Sequence, residues 1–214
     1  LLHHKQEECY LCGSDNIAKV VYNPMISIIL SSKSETDLQR CTANIQDTIG
    51  VPYEVIITKN AEGKIPLTRV YNESAQKVQY DILCFLHEDA EFKKKHWGKK
   101  VIDLLSDQTI GAVGVAGSIY FPENGAWASP GVPFLKGRVI HPSKHLDMDE
   151  IDIFSEETGD LEVVTLDGVF MATRKEIIKE CPFDDKTFDG FHFYDADFCI
   201  RVAQKYKVMV TTDI

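Results

Sequence analysis

Three short runs in this sequence gather enough acidic and imidazole groups to do chemistry. His87-Glu88-Asp89 directly follows the apolar stretch Ile82 to Leu86. Two carboxylates and an imidazole leaving one buried strand offer the hard donors that suit Mg²⁺ or Mn²⁺ bridging phosphate groups. The plain alternative is a solvated turn with an incidental helix cap. Tyr194-Asp195-Ala196-Asp197 opens a helical pattern carried by Phe198, Cys199, Val202, Ala203 and Tyr206. Either aspartate could be an N-cap, favoured by the helix dipole. The sharper reading is a general base at a helix start, aimed into a cleft. Leu166-Asp167-Gly168-Val169 sets Asp-Gly between two strand-like runs, a hairpin-turn signal.

A fourth run, Cys9-x-x-Cys12, resembles half of a zinc knuckle. A structural zinc needs four ligands, no second pair exists, and His3 and His4 would complete a set only by an odd spacing, so the pair reads as part of an inert tail. His96, His141, His145 and His192 stand alone and read as surface or satisfied histidines. No GxGxxG, P-loop or GxSxG is present, which removes the commonest dinucleotide, NTPase and hydrolase readings.

Composition narrows the partners. Among 214 residues, 33 are acidic and 23 basic, for a formal net charge of −10. That argues against a nucleic-acid binder, which would usually show a basic face, and more weakly against polybasic docking to anionic lipid. A nucleotide diphosphate approaching such a protein would need a cation beside it. The longest apolar run, Met25 to Leu30, is far short of the roughly 20 residues of a membrane span. No signal peptide is evident in Leu1 to Cys12. Cys41, Cys84, Cys181 and Cys199 fall in apolar or helical stretches and read as reduced and mostly buried, which implies a cytoplasmic protein.

The elements that must position these groups follow an alternating pattern. Residues 1–24 form a polar, irregular extension, and a single α/β domain is expected over 25–214. Met25 to Leu30 reads as a strand. Ser34-Glu-Thr-Asp37 reads as a capping box, with Asp37 reaching back, ahead of a helix carrying Leu38, Cys41, Ile45 and Ile49. Tyr53 to Thr58 is a second strand. Leu67, Val70, Tyr71, Ser74, Ala75 and Val78 mark an amphipathic helix. Ile82 to Leu86 is a third strand, apolar throughout and so covered on both faces. Trp97 to Leu105 is helical and Ala112 to Ala116 a fourth strand. Residues 117–161 read as a long irregular loop rich in Gly, Pro and aromatics, a candidate for acceptor recognition. Strand character returns at Glu162 to Leu166 and Val169 to Ala172, then a helix from Arg174 to Glu180, the helix after Tyr194, and a last strand, Val208 to Thr212. Successive strand–helix units imply parallel strands, whose ligands sit beyond the strand carboxyl ends. That rule selects Ser31 to Lys33, Thr58 to Asn60 and His87 to Asp89.

Taken in order, these features resemble a family-2-type glycosyltransferase with the GT-A fold, from about Met25 to Ile214. The resemblance is carried by ISIILSSKSETDLQRC, by YDILCFLHEDAEF, which is similar to the strand ending in the family's DxD-type metal motif, and by DGVFMATRKEIIKECPFDDKTFDGFHFYDADFCIRVAQKYKVMV. It looks closest to a bacterial subset with His-x-Asp as the metal motif. The fold implied is a Rossmann-like three-layer α/β/α domain of the nucleotide-diphospho-sugar transferase type, with a mostly parallel sheet.

The resemblance implies roles residue by residue. Asp89, with His87, would hold Mn²⁺ or Mg²⁺. Asp195 matches the base of the family's acidic pair, Tyr194 replaces its acidic partner, and Asp197 is the second choice for base. Ser31, Lys33, Asn60, Asn72, Glu88, Asp167 and Gly168 would bind the donor. The implied reaction is inverting, metal-assisted transfer of a hexosyl group from a UDP- or GDP-linked sugar to a hydroxyl on a glycan, lipid-linked or other acceptor. Polysaccharide biosynthesis would be its setting, in the cytoplasm or peripherally at the inner face of the plasma membrane. The chain stops at Ile214, where such enzymes continue into a further ligand or lid, so truncation at the C-terminus is expected. A GT-A-like domain that binds nucleotide-sugar or glycan without turnover is the main alternative. A nucleotidyltransferase would want a Gly-rich basic loop after the first strand, and Ser31-Ser-Lys-Ser34 has no Gly.

Overall fold

A computed structural model describes residues 25–126, 128–142, 149–153 and 155–214. The 1–24 extension, with Cys9 and Cys12, lies outside the described residues, as do Trp127 and His145. The elements run β1 (Ile26–Ser32), α1 (Glu35–Thr48), β2 (Tyr53–Lys59), α2 (Leu67–Ala75), β3 (Ile82–His87), α3 (Trp97–Ser106), β4 (Ile110–Gly114), β5 (Ala116–Ser118), β6 (Leu135–Pro142), β7 (Asp149–Ile153), β8 (Asp160–Val163), β9 (Thr165–Leu166), β10 (Phe170–Arg174), α4 (Lys175–Glu180), α5 (Tyr194–Val202) and β11 (Lys207–Thr211).

The central sheet has seven strands in the order β2-β1-β3-β10-β4-β11-β8. β1 pairs in parallel with β2 and β3, as the strand–helix alternation requires. β10 then enters antiparallel between β3 and β4, and β8 closes the far edge antiparallel to β11. The sheet is therefore mostly parallel with two reversed strands. Side chains of β1 and β3 alternate between its faces. Ile29, Leu83 and Phe85 join the core under α2, α4 and α5. Ile28, Leu30, Cys84 and Leu86 join the core under α1 and α3. Burying side chains such as Phe85 or Phe198 stabilises by about 1.5–3 kcal/mol each, well above what solvent-screened surface ion pairs contribute. This three-layer α/β/α arrangement is the expected GT-A architecture.

Four expectations need correction. Residues 117–161 are not one irregular loop: β6 and β7 form a hairpin inside a second sheet of four strands, ordered β7-β6-β5-β9. The single strand expected over Ala112 to Ala116 divides into β4 and β5, one in each sheet. Glu162 to Leu166 divides likewise into β8 and β9, so Asp167-Gly168 is not a hairpin turn. The Asx contact is present, Val169 N–H donating to Asp167 Oδ1 at 2.7 Å, but the flanking strands β9 and β10 belong to different sheets. The capping box is half formed. Ser34 Oγ accepts from Asp37 N–H at 3.2 Å, while the Ser34 N–H donates to Glu88, 54 residues away, rather than to Asp37.

Candidate active site at the strand ends

Beyond the carboxyl ends of β1 and β3 lies an open pocket of about 600 Å³. Ser31, Lys33, His87, Glu88, Asp89, Asp167, Gly168 and Asp195 all line it, so four separate stretches of sequence converge as expected. Asn60, Asn72 and Asp197 do not. The Asn60 amide is buried and holds both the N–H and the C=O of Ile65, at 3.1 and 2.8 Å. Asn72 does the same for Phe183, at 3.0 and 2.8 Å. Asp197 Oδ2 accepts both Nε and Nη2 of Arg201, at 2.9 and 2.6 Å, one turn along α5. Each of these side chains serves the scaffold.

Glu88 lines the pocket but is also engaged. Its carboxylate accepts the Lys33 N–H at 2.7 Å and the Ser34 N–H at 3.2 Å, satisfying donors at the start of α1 and fixing the β1–α1 loop to the end of β3. The neighbouring Asp89 is exposed, and its carboxylate has no hydrogen bond or ion pair among the described residues. Ser31 Oγ is buried and has no hydrogen-bond partner among the described residues. A buried hydroxyl left unmatched is costly, and beside a pocket it reads as a group awaiting a ligand.

The opposite wall is built around Gly168. Asp195 Oδ2 accepts the Gly168 N–H at 2.9 Å, and the Tyr194 hydroxyl donates to the Gly168 carbonyl at 3.3 Å. Two consecutive residues of α5 thus grip both polar ends of one residue in the β9–β10 crossover. A side chain there would strike the Tyr194 ring and hydroxyl, which is why the position holds glycine. Asp195 Oδ1 accepts the Ala196 N–H at 2.9 Å. Burial raises the Asp195 pKa above the usual aspartate range, opposed by these N–H donors and reinforced by Asp167. Tyr194 is buried and stays neutral, its pKa pushed up by burial and then by Tyr71 and Asp195. His87 Nε2 meets the same hydroxyl at 3.1 Å. Tyr71 Oη has no hydrogen bond of ordinary geometry, although it is close enough to the Tyr194 hydroxyl for the two phenols to influence each other.

Sequence reading missed the run Phe191-His192-Phe193, which lines the pocket together with Gly125 and Ala126. Lys33 Nζ lies 4.0 Å from the centre of the Phe191 ring. Phe193 is 48% exposed, with its backbone in the left-handed region at φ 67°. A bulky residue there is a strained exception, and such strain collects at functional sites. His192 is pocket lining, not an idle surface histidine. The available signal was three consecutive rings placed just before the Tyr194 helix start.

Lys33 is the only permanent cation among the described lining residues, which include the carboxylates of Asp37, Glu88, Asp89, Asp167 and Asp195. Among the described residues no three His, Cys, Asp or Glu side chains form a ready-made metal cage. The donor set still fits Mg²⁺ or Mn²⁺, because such ions bind through one or two carboxylates plus substrate phosphates. Asp89 supplies the free carboxylate, and the second nitrogen of His87 makes no hydrogen bond among the described residues. Burial, with Asp89 and Glu88 nearby, pushes the Cys41 thiol up to about 12, so this cysteine behind β3 is inert.

The sequence belongs to the family described as Glycosyltransferase like family, which it matches over residues 27–213. No curated protein matches it by sequence. Among solved structures, it is similar to the mannosyltransferase PcManGT from Pyrobaculum calidifontis, solved with GDP-Man and Mn²⁺, at TM-score 0.58 and 14% identity over 90% of this chain and 56% of that one. It is also similar to GalNAc-T7 with UDP, GalNAc and Mn²⁺, at TM-score 0.58 and 10% identity over 89% of this chain and 43% of that one. A third likeness is to S. aureus TarS 1-349, at TM-score 0.54 and 13% identity over 88% of this chain and 58% of that one. These likenesses show the GT-A fold. The chain spans about half the length of the solved structures it resembles. Among the described residues no helix is long and apolar enough to cross a membrane.

Proposed function

We propose that this domain transfers a hexosyl group from a UDP- or GDP-linked sugar to an acceptor hydroxyl, with inversion. The observation that carries the reading is one pocket holding a free Asp89 at the end of β3 and a desolvated Asp195 at the start of α5. Two solved relatives in fold hold GDP-Man or UDP together with Mn²⁺, which supports a nucleotide-sugar donor and a divalent cation here.

Donor diphosphate would meet the Lys33 and Asp89 side of the pocket, where the unmatched Ser31 hydroxyl can satisfy a nucleoside oxygen or N–H. Asp89, with His87, would hold Mn²⁺ or Mg²⁺. When bound, that cation supplies charge stabilisation to the departing nucleoside diphosphate. Asp195 takes the proton of the acceptor hydroxyl onto a carboxylate oxygen as that hydroxyl oxygen bonds to the anomeric carbon and the anomeric C–O bond to the diphosphate breaks. Desolvation makes Asp195 a stronger base than a solvated aspartate, and the N–H groups of Gly168 and Ala196 fix its direction. Asp167 and Gly168, which line the same pocket, would lie beside the reacting sugar. Phe193 offers a half-exposed ring as a stacking surface for an acceptor sugar. Among the described residues of the 117–161 region, Gly125 and Ala126 reach the pocket, which centres the acceptor role expected of that stretch on them. Free thiols at Cys41, Cys84, Cys181 and Cys199 support a cytoplasmic setting.

The test is calorimetry with UDP and GDP, each with and without Mn²⁺, on wild type and Asp89→Ala, followed by donor hydrolysis and transfer assays. Metal-dependent binding lost in Asp89→Ala is the expected result. Binding without any hydrolysis or transfer would replace the enzyme reading by a nucleotide-sugar-binding domain.

A further inference from the structure

We infer that Tyr194 is a positioning residue that locks His87 as its Nε2–H tautomer and leaves Nδ1 as the nitrogen available to the cation; this rests on the donor-site reading above. A phenol has one proton to give and two lone pairs to receive with. The Gly168 carbonyl, 3.3 Å from Tyr194 Oη, can only accept, so the phenolic proton belongs there. His87 Nε2, 3.1 Å from the same oxygen, must then donate. The opposite assignment would turn the phenolic proton to His87 and leave a buried carbonyl unmatched, and the cost of that orphaned acceptor selects the first arrangement. Neutral imidazole carries one ring proton, so placing it on Nε2 leaves the Nδ1 lone pair free.

A second observation points the same way. His87 ends β3 and Tyr194 opens α5, 107 residues apart in sequence, and the two side chains meet beside the pocket that both line. They form one unit: a neutral bridge from the cation side of the pocket to the base side. Through Gly168, the same phenol also braces the carboxylate of Asp195. Ligating histidines depend on such outer partners for ring orientation and tautomer.

The test combines ¹⁵N NMR and calorimetry. Two-bond ¹H–¹⁵N spectra of ¹⁵N-histidine-labelled protein, at alkaline pH where imidazoles are neutral, are assigned for His87 by comparison with His87→Gln. Wild type should show the Nε2–H tautomer, and this spectrum decides the lock without any substitution. Tyr194→Phe, which keeps the ring packing and removes only the hydroxyl, should release His87 to a tautomer mixture. It should also weaken Mn²⁺-dependent UDP or GDP binding about 10-fold. In a His87→Ala background the same substitution should change binding little. A wild-type Nδ1–H tautomer or mixture overturns the inference. So does a tautomer unchanged in Tyr194→Phe, or an equal loss of affinity in the His87→Ala background. If the tautomer is locked and released as described but neither nucleotide binds any variant, the lock stands and the donor-site reading fails.

Discussion

The two walls of the pocket use the same residue types in opposite ways. At the end of β3, Glu88 is tied to the Lys33 and Ser34 amides and Asp89 is left exposed. At the start of α5, Asp197 is tied to Arg201 and Asp195 is left in the pocket. Each wall therefore has one carboxylate that builds and one placed to act, although Asp195 also accepts the Gly168 and Ala196 N–H groups. The acting pair differ in solvation. Asp89 stands in water, open to a cation. Asp195 is desolvated, where a carboxylate holds a proton more readily. Environment rather than residue type assigns the two roles.

That contrast can be broken at each wall. Asp195→Asn should lower transfer by about 10²–10⁴-fold while nucleotide binding by calorimetry is unchanged. Asp89→Asn should do the reverse, weakening Mn²⁺-dependent nucleotide binding at least about 10-fold. Gly168→Ala, which drives a methyl group into Tyr194, should destabilise by about 1–3 kcal/mol and lower the melting midpoint by roughly 2–10 °C. The pH profile sharpens the comparison. Asp195 must be deprotonated to act, so kcat/KM should fall as pH is lowered through a value above the ordinary aspartate range. The sign for stability is opposite to that of a salt-bridged aspartate. With the folded pKa raised above the unfolded one, the Asp195 contribution worsens as pH rises through that window and recovers below it. The smallest effect belongs to Asp197→Asn, with stability reduced by about 0.3–1 kcal/mol and activity intact.

The first three strands and their helices were legible because each is a local pattern: period-two or continuous apolar runs, i, i+3, i+4 spacing, and caps. His87 and Asp89 were legible as pocket candidates because parallel strands place their carboxyl ends together; Asp195 was picked out by a different signal, aspartates at a helix start. What could not be read was pairing at long range. Nothing local in Phe170–Arg174 says that it will enter antiparallel between β3 and β4. The Asp-Gly at 167–168 announces a turn correctly, but a turn signal does not say which sheet each flank joins. β6 and β7 were hidden because Gly137, Pro142 and the acidic run 149–153 resemble a loop when their partner strands are unknown. Asn60 and Asn72 show the same limit at the site. An amide near a strand end or on a pocket-side helix looks like a ligand contact until its backbone partners, Ile65 and Phe183, are seen.

The late entry of β10 has a consequence for how the chain is made. β3 ends at His87, and the strand that covers its open edge begins only at Phe170. On a ribosome adding about 5–20 residues per second, roughly 80 residues of synthesis separate the two, a delay of roughly 4–16 s. Throughout that interval the nascent domain carries an apolar strand with unpaired backbone donors and acceptors, the kind of edge on which aggregation starts. Slowing translation between these strands should therefore lower the soluble yield, and supplying a chaperone that covers sheet edges should restore it.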